Sequence, residues 1–109
     1  MKKNTSNKFG LSEETIHLLE SALSKFPQIQ EVKIFGSRAM GTYRPGSDID
    51  LAIFSDDLSH LDWLDLLDGI EDLNLLYEID CLYYNKIDTP ALKEHIDQVG
   101  KVFYKANKA

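Results

Sequence analysis

The chain has 109 residues, with 12 Lys and Arg against 18 Asp and Glu, a net charge of −6, and 43% hydrophobic and 10% aromatic residues. That is one domain's length, and a chain this size buries roughly 65% of its unfolded surface, enough for a core of its own. The composition excludes collagenous, low-complexity and disordered classes. No run of 18 apolar residues is available to cross a bilayer, and the polar start from Met1 to Lys8 lacks the apolar stretch of a secretory signal. The single cysteine, Cys81, rules out an internal disulfide and points to a reducing cytoplasm. Charge is unevenly spread. Between Arg44 and Lys86 there is no Lys or Arg, while eleven carboxylates fall there, from Asp48 to Asp80. Such a surface repels a phosphate backbone, so direct nucleic-acid binding is not expected. It suits a basic partner or simply a solvated face.

Residues 1–9 read as a loose polar tail and 10–109 as a single domain. Ser12 is placed to cap a helix, with Glu13 and Glu14 at its positive end. Ile16, Leu19, Leu23 and Phe26 then fall on one helical face, which Pro27 terminates. Val32, Ile34 and Phe35 form a short apolar strand running into Gly36-Ser37. Arg38 to Gly46 predicts a helical turn and a loop. Ile49, Leu51 and Ile53 alternate with Asp48, Asp50 and Ala52, the period of a strand. Trp63, Leu66, Leu67, Ile70 and Leu73 carry helical spacing, with Asp62, Asp65, Asp68 and Asp72 on the other faces. A further strand is expected from Tyr77 to Tyr84. Thr89-Pro90 then opens a helix bearing Leu92, Ile96 and Val99, Gly100 stops it, and Val102–Tyr104 forms a last short strand. The order predicts an α/β (α+β) domain: a small mixed sheet of about three to four strands with helices packed on it.

Asp48 and Asp50, two apart on a strand, project from one face. Close carboxylates repel, and a hard divalent cation relieves that repulsion better than protonation at neutral pH. Asp80 shares a face of the later strand with Glu78 and Leu82. If that strand lies beside the Asp48–Asp50 strand, Asp80 becomes a third carboxylate, a set suited to two-ion phosphoryl transfer. An Asp-x-Asp alone is as easily an ordinary polar strand edge. An apolar strand, then Gly36-Ser37, then ten residues, then Asp48-Ile49-Asp50 is a far more specific arrangement, because a glycine turn entering a helix lets backbone N–H groups approach a phosphate.

The run from Phe35 to Ala52, FGSRAMGTYRPGSDIDLA, resembles the minimal nucleotidyltransferases (MNT) of the DNA polymerase β-like superfamily, whose signature is Gly-Ser, about ten residues, Asp-x-Asp and a later strand aspartate. Asp80 in Tyr77–Leu82 matches that third position, and Gly100–Tyr104 resembles the closing segment. The resemblance spans about residues 12–105. It implies the polymerase β-like fold, with Asp48 and Asp50 ligating two Mg²⁺ ions, and Asp80 holding the catalytic one and helping to activate the attacking hydroxyl. Gly36 and Ser37 would grip the β- and γ-phosphates of a nucleoside triphosphate, ATP as donor. Arg38, Arg44 and Ser47 are further candidate nucleotide contacts, each arginine being equally readable as a solvated loop residue. Many relatives carry a basic residue where this chain has Met40.

Other residues read as structural. His17, His60 and His95 lack ligand spacing and read as surface histidines. Cys81, opposite Asp80, reads as core. Trp63, Tyr77, Tyr83 and Tyr84 read as packing, and Ser37 as a hydrolase nucleophile fails for want of a His and acid. The resemblance implies an antitoxin of the MntA type that adenylylates a tyrosine on a HEPN-domain toxin; charge alone suggests that the acidic 56–80 region faces a basic partner. A non-catalytic module that inhibits such a partner by contact, and a transferase acting on a small molecule, remain alternatives. Assembly as a homodimer or with a partner chain is left open.

Overall fold

The computed structural model describes residues 8–106. Helix α1 spans Glu13–Ser24, strand β1 Glu31–Phe35, the short helix α2 Ser37–Met40 and strand β2 Ile49–Phe54. They are followed by α3 (His60–Glu71), β3 (Ile79–Tyr83), α4 (Pro90–Val99) and β4 (Lys101–Lys105). The caps follow the sequence. The Ser12 hydroxyl accepts the Thr15 N–H at 3.1 Å, with Glu13 and Glu14 in the first turn of α1. Helix α3 begins three residues before Trp63, because Ser59 and Asp62 cap each other's backbone N–H.

The sheet has the order β3-β2-β1-β4. β1 runs antiparallel to both β2 and β4, and β3 lies parallel to β2, the crossover between them being α3. Alternation along the strands divides the sheet into two faces. One carries Val32, Ile34, Ile49, Leu51 and Ile53 against Leu19 and Leu23 of α1 and Leu66 and Ile70 of α3. The other carries Phe35, Ala52 and the partly buried Leu82 against Ile96 of α4. At one end of this second face stand Asp50 and Asp80.

Of the expected tail, Met1–Asn7 lies outside the described residues. Lys8–Gly10 is a 3₁₀ turn whose Phe9 ring meets Phe103 at 6.3 Å, so the chain is anchored from there. Trp63 stacks on Tyr83 and Tyr84 on Phe54, packing roles in both cases. Among the described residues no helix is long and apolar enough to cross a membrane.

Candidate active site

β1 delivers its last residue, Phe35, opposite Asp50 of β2, and β3 places Asp80 opposite Asp50 on the other side. The three positions form one row across the sheet, and the condition set by the sequence, that the two aspartate-bearing strands be neighbours, is met. Asp48 sits two residues upstream, just before β2, and is exposed; Asp80 is exposed and Asp50 half-buried.

Immediately after Phe35 the backbone turns at Gly36, with φ 74° and ψ −155°, a region open essentially to glycine alone. A Cβ added there would overlap Oδ2 of Asp50 and lie 3.3 Å from its Cγ. The glycine is therefore required by the carboxylate beside it, a reason additional to the phosphate approach expected from sequence. Its carbonyl accepts the N–H groups of Ala39 and Met40, each at 3.1 Å, which folds the chain into α2 with Ser37 as its first residue.

Burial, then the charge of Asp80, then that of Asp48, holds the Asp50 carboxyl above its ordinary range, partly offset by His95. Among the described residues no three His, Cys, Asp or Glu side chains close tightly enough to form a finished metal group. The aspartates form an open row instead. Its chemistry fits a hard cation: the donors are all carboxylate oxygens, and a cation would relieve the repulsion that raises Asp50.

Arg38, a candidate nucleotide contact in the sequence, is turned into the fold. It is 2% exposed. Its guanidinium donates to the carbonyls of Ser47 (2.9 and 3.1 Å), Phe9 (2.9 Å) and Gly10 (3.4 Å). The rings of Tyr43 and Tyr77 lie 5.2 and 4.9 Å from it. With four of its five N–H donors committed and two tyrosine rings against it, Arg38 ties the N-terminal turn to the loop that leads into Asp48, and acts by positioning. Ser47 likewise shapes that loop, its hydroxyl accepting the Arg44 N–H at 2.8 Å. Arg44 itself is exposed.

His95, read from sequence as a surface residue, is half-buried beside the site. It meets the Phe35 ring edge-on at 6.2 Å, and its charge favours the ionised form of Asp50. Its place next to Ile96, the buried anchor of α4, was the available signal. Cys81 is half-buried, and burial followed by the Asp80 charge pushes its thiol up to about 12.

Residues 17–109 match the family described as polymerase beta, nucleotidyltransferase. The chain belongs to that nucleotidyltransferase family. Its four-stranded mixed sheet with helices on both faces is the polymerase β-like architecture that the Gly-Ser and Asp-x-Asp run implied. Among solved structures, a toxin–antitoxin with AMP-PNP is 25% identical at a TM-score of 0.62, covering 88% of this chain and 75% of that one. A toxin–antitoxin MntA-HepT is 18% identical at 0.61, covering 87% and 74%. The third is a tri-AMPylated HEPN toxin from Shewanella oneidensis in complex with an MNT antitoxin, 20% identical at 0.54, covering 84% and 73%. No curated protein matches the chain. Within this nucleotidyltransferase, Gly36, Ser37, Asp48, Asp50 and Asp80 all fall in the matched region.

Proposed function

We propose that the chain is an antitoxin that transfers a nucleoside monophosphate, AMP from ATP, to a hydroxyl of a partner polypeptide, a tyrosine of a HEPN-type toxin. The observation that carries this is the row Asp50–Asp80 with Asp48 upstream and the Gly36 turn against Asp50, in a chain of nucleotidyltransferase family. The AMP-PNP-bound and AMPylated toxin–antitoxin structures to which the chain is similar support the choice of nucleotide and partner.

In this reading Asp48, Asp50 and Asp80 are the residues that would hold two Mg²⁺ ions. When bound, the ions neutralise charge on the phosphates in the transition state. The chain's own contribution is positioning and proton handling. Gly36 and Ser37 would face the triphosphate from the end of β1, with exposed Arg44, on the loop before Asp48, as a candidate cation. The acceptor oxygen attacks the α-phosphorus, the bond from the α-phosphorus to the α–β bridging oxygen breaks, and pyrophosphate leaves. Asp80, open to solvent, receives the hydroxyl proton. Arg38 keeps the loop before Asp48 in place throughout.

The test is the intact mass of the protein encoded beside this chain, after incubation with it, Mg²⁺ and each of the four nucleoside triphosphates. An adenylyl increment that disappears with Asp48→Asn is the expected result. A stable complex with no increment would instead favour inhibition by contact.

A further inference from the structure

Among the described residues β3 is the outermost strand of the sheet and pairs only with β2. Ile49 N–H donates to the Glu78 carbonyl at 2.9 Å, and the parallel pattern then turns the N–H and C=O groups of Asp80 and Leu82 inward. The N–H groups of Ile79, Cys81 and Tyr83 point outward, where no backbone acceptor meets them among the described residues. Natural sheets blunt such edges with Lys, Pro or a bulge. β3, Ile-Asp-Cys-Leu-Tyr, has none of these.

Two hollows flank this edge and share Cys81. One, of about 560 Å³, is lined by residues from β3 and around the starts of α3 and α4, among them Leu58, Trp63, Tyr83 and Leu92, together with Lys86 and Asp88. The other, of about 450 Å³, is lined by Leu67, Ile70, Tyr77 and Ile79 together with Glu71 and Glu78. Leu61 stands 73% exposed on the neighbouring helix. Carboxylates outnumber cations along this edge: Glu71 and Glu78 line one hollow, Asp88 the other and Asp80 stands on β3 itself, against Lys86 as the one Lys or Arg lining either hollow. Two copies of this edge would repel one another, as would a phosphate backbone. An extended segment alternating apolar and basic residues satisfies the free N–H groups, fills the hollows and complements the charge.

We propose that the outer edge of β3 is a strand-docking site that takes a basic, extended segment of the acceptor polypeptide and leads it to Asp80. This rests on the protein-acceptor reading above. Neighbouring strands lie about 4.8 Å apart, so a docked residue opposite Asp80 on the same face brings its side-chain hydroxyl beside that carboxylate. From Ile79 to Tyr83 the edge spans roughly 13 Å, room for about five residues.

The experiment is amide hydrogen exchange by NMR on the wild-type chain and on Asp48→Asn, titrated with a nine-residue peptide alternating Lys and Val about a central Tyr. The amides of Ile79, Cys81 and Tyr83 are expected to exchange fast in the free chain and to slow by about tenfold or more at saturation, those of Asp80 and Leu82 staying unchanged. A peptide with Glu in place of Lys, or with Pro in place of Val, should give no protection. Cys81→Pro, which removes an outward N–H and leaves the inward ladder, should weaken the Lys peptide by about tenfold. Absence of binding at millimolar peptide, saturation without protection of those three amides, or equal protection by the Glu peptide overturns the proposal. So does protection of the free chain that grows with its own concentration, which would mean a second copy occupies the edge. Docking is read without catalysis: protection with no transfer to the partner would count against the transferase reading alone, and transfer without protection against docking alone.

Discussion

Replacing Gly36 by alanine probes the link between the turn after β1 and the carboxylate row. At φ 74° and ψ −155° a residue with a Cβ carries about 1–3 kcal/mol of backbone strain. The new methyl also overlaps the Asp50 carboxylate and forces it from its place. Together the two effects should lower stability by about 2–4 kcal/mol, within the reserve of a domain this size. Tm should fall by about 10 °C or more, at about 4–8 °C per kcal/mol. Urea denaturation should show a lower midpoint at unchanged slope, and nucleotidyl transfer should be lost. The cycle with Asp50→Ala separates the causes. In that background the overlap is gone and only the dihedral strain remains, so Gly36→Ala should cost less there, with a coupling of about 1–2 kcal/mol. An equal cost in both backgrounds would show that the glycine does not serve Asp50, and wild-type stability and transfer in Gly36→Ala would refute the reasoning altogether.

Arg38→Ala strands the carbonyls of Phe9, Gly10 and Ser47 and should cost about 3 kcal/mol or more, with Arg38→Lys failing to restore the forked geometry. A raised KM for ATP with Tm unchanged would mean that Arg38 is a phosphate ligand after all. The Asp50 carboxyl is held above the ordinary value of 3.8 by burial and by Asp80 and Asp48. The native state thus keeps its proton to higher pH than the unfolded chain, and metal-free stability falls as pH rises from the unfolded pKa through the folded one. Asp50→Asn should therefore raise the metal-free Tm while abolishing the Tm gain given by Mg²⁺. In the wild type that gain should fade on acidification at a higher pH than an ordinary aspartate would give; calorimetry across pH checks both. Cys81, its thiol pushed up to about 12, should resist iodoacetamide in the native chain at pH about 8 and react after unfolding, as mass spectrometry would show.

Much of this was legible in the residues. The alternation of Ile49, Leu51 and Ile53 against Asp50 and Ala52 is a local signal, and it fixes which face of β2 carries the carboxylates. The caps of α1 and the Pro90 start of α4 are equally local. The neighbourhood of Asp50 and Asp80 was only conditional in sequence, because it depends on the α3 crossover laying β3 parallel to β2. The burial of Arg38 was hidden for a similar reason. Its acceptors come from residues 9, 10 and 47 and its covering rings from 43 and 77, and nothing near residue 38 announces them. His95 lies just off the apolar stripe of α4, so its periodicity reads as surface until α4 is laid across Phe35.

The most direct test of the central claim is a crystal structure of the chain with Mg²⁺ and a non-hydrolysable ATP analogue. The account predicts metal density against the carboxylates of Asp48, Asp50 and Asp80, and the β- and γ-phosphates against Gly36 and Ser37. A triphosphate bound elsewhere, with the three aspartates free of metal, would contradict it.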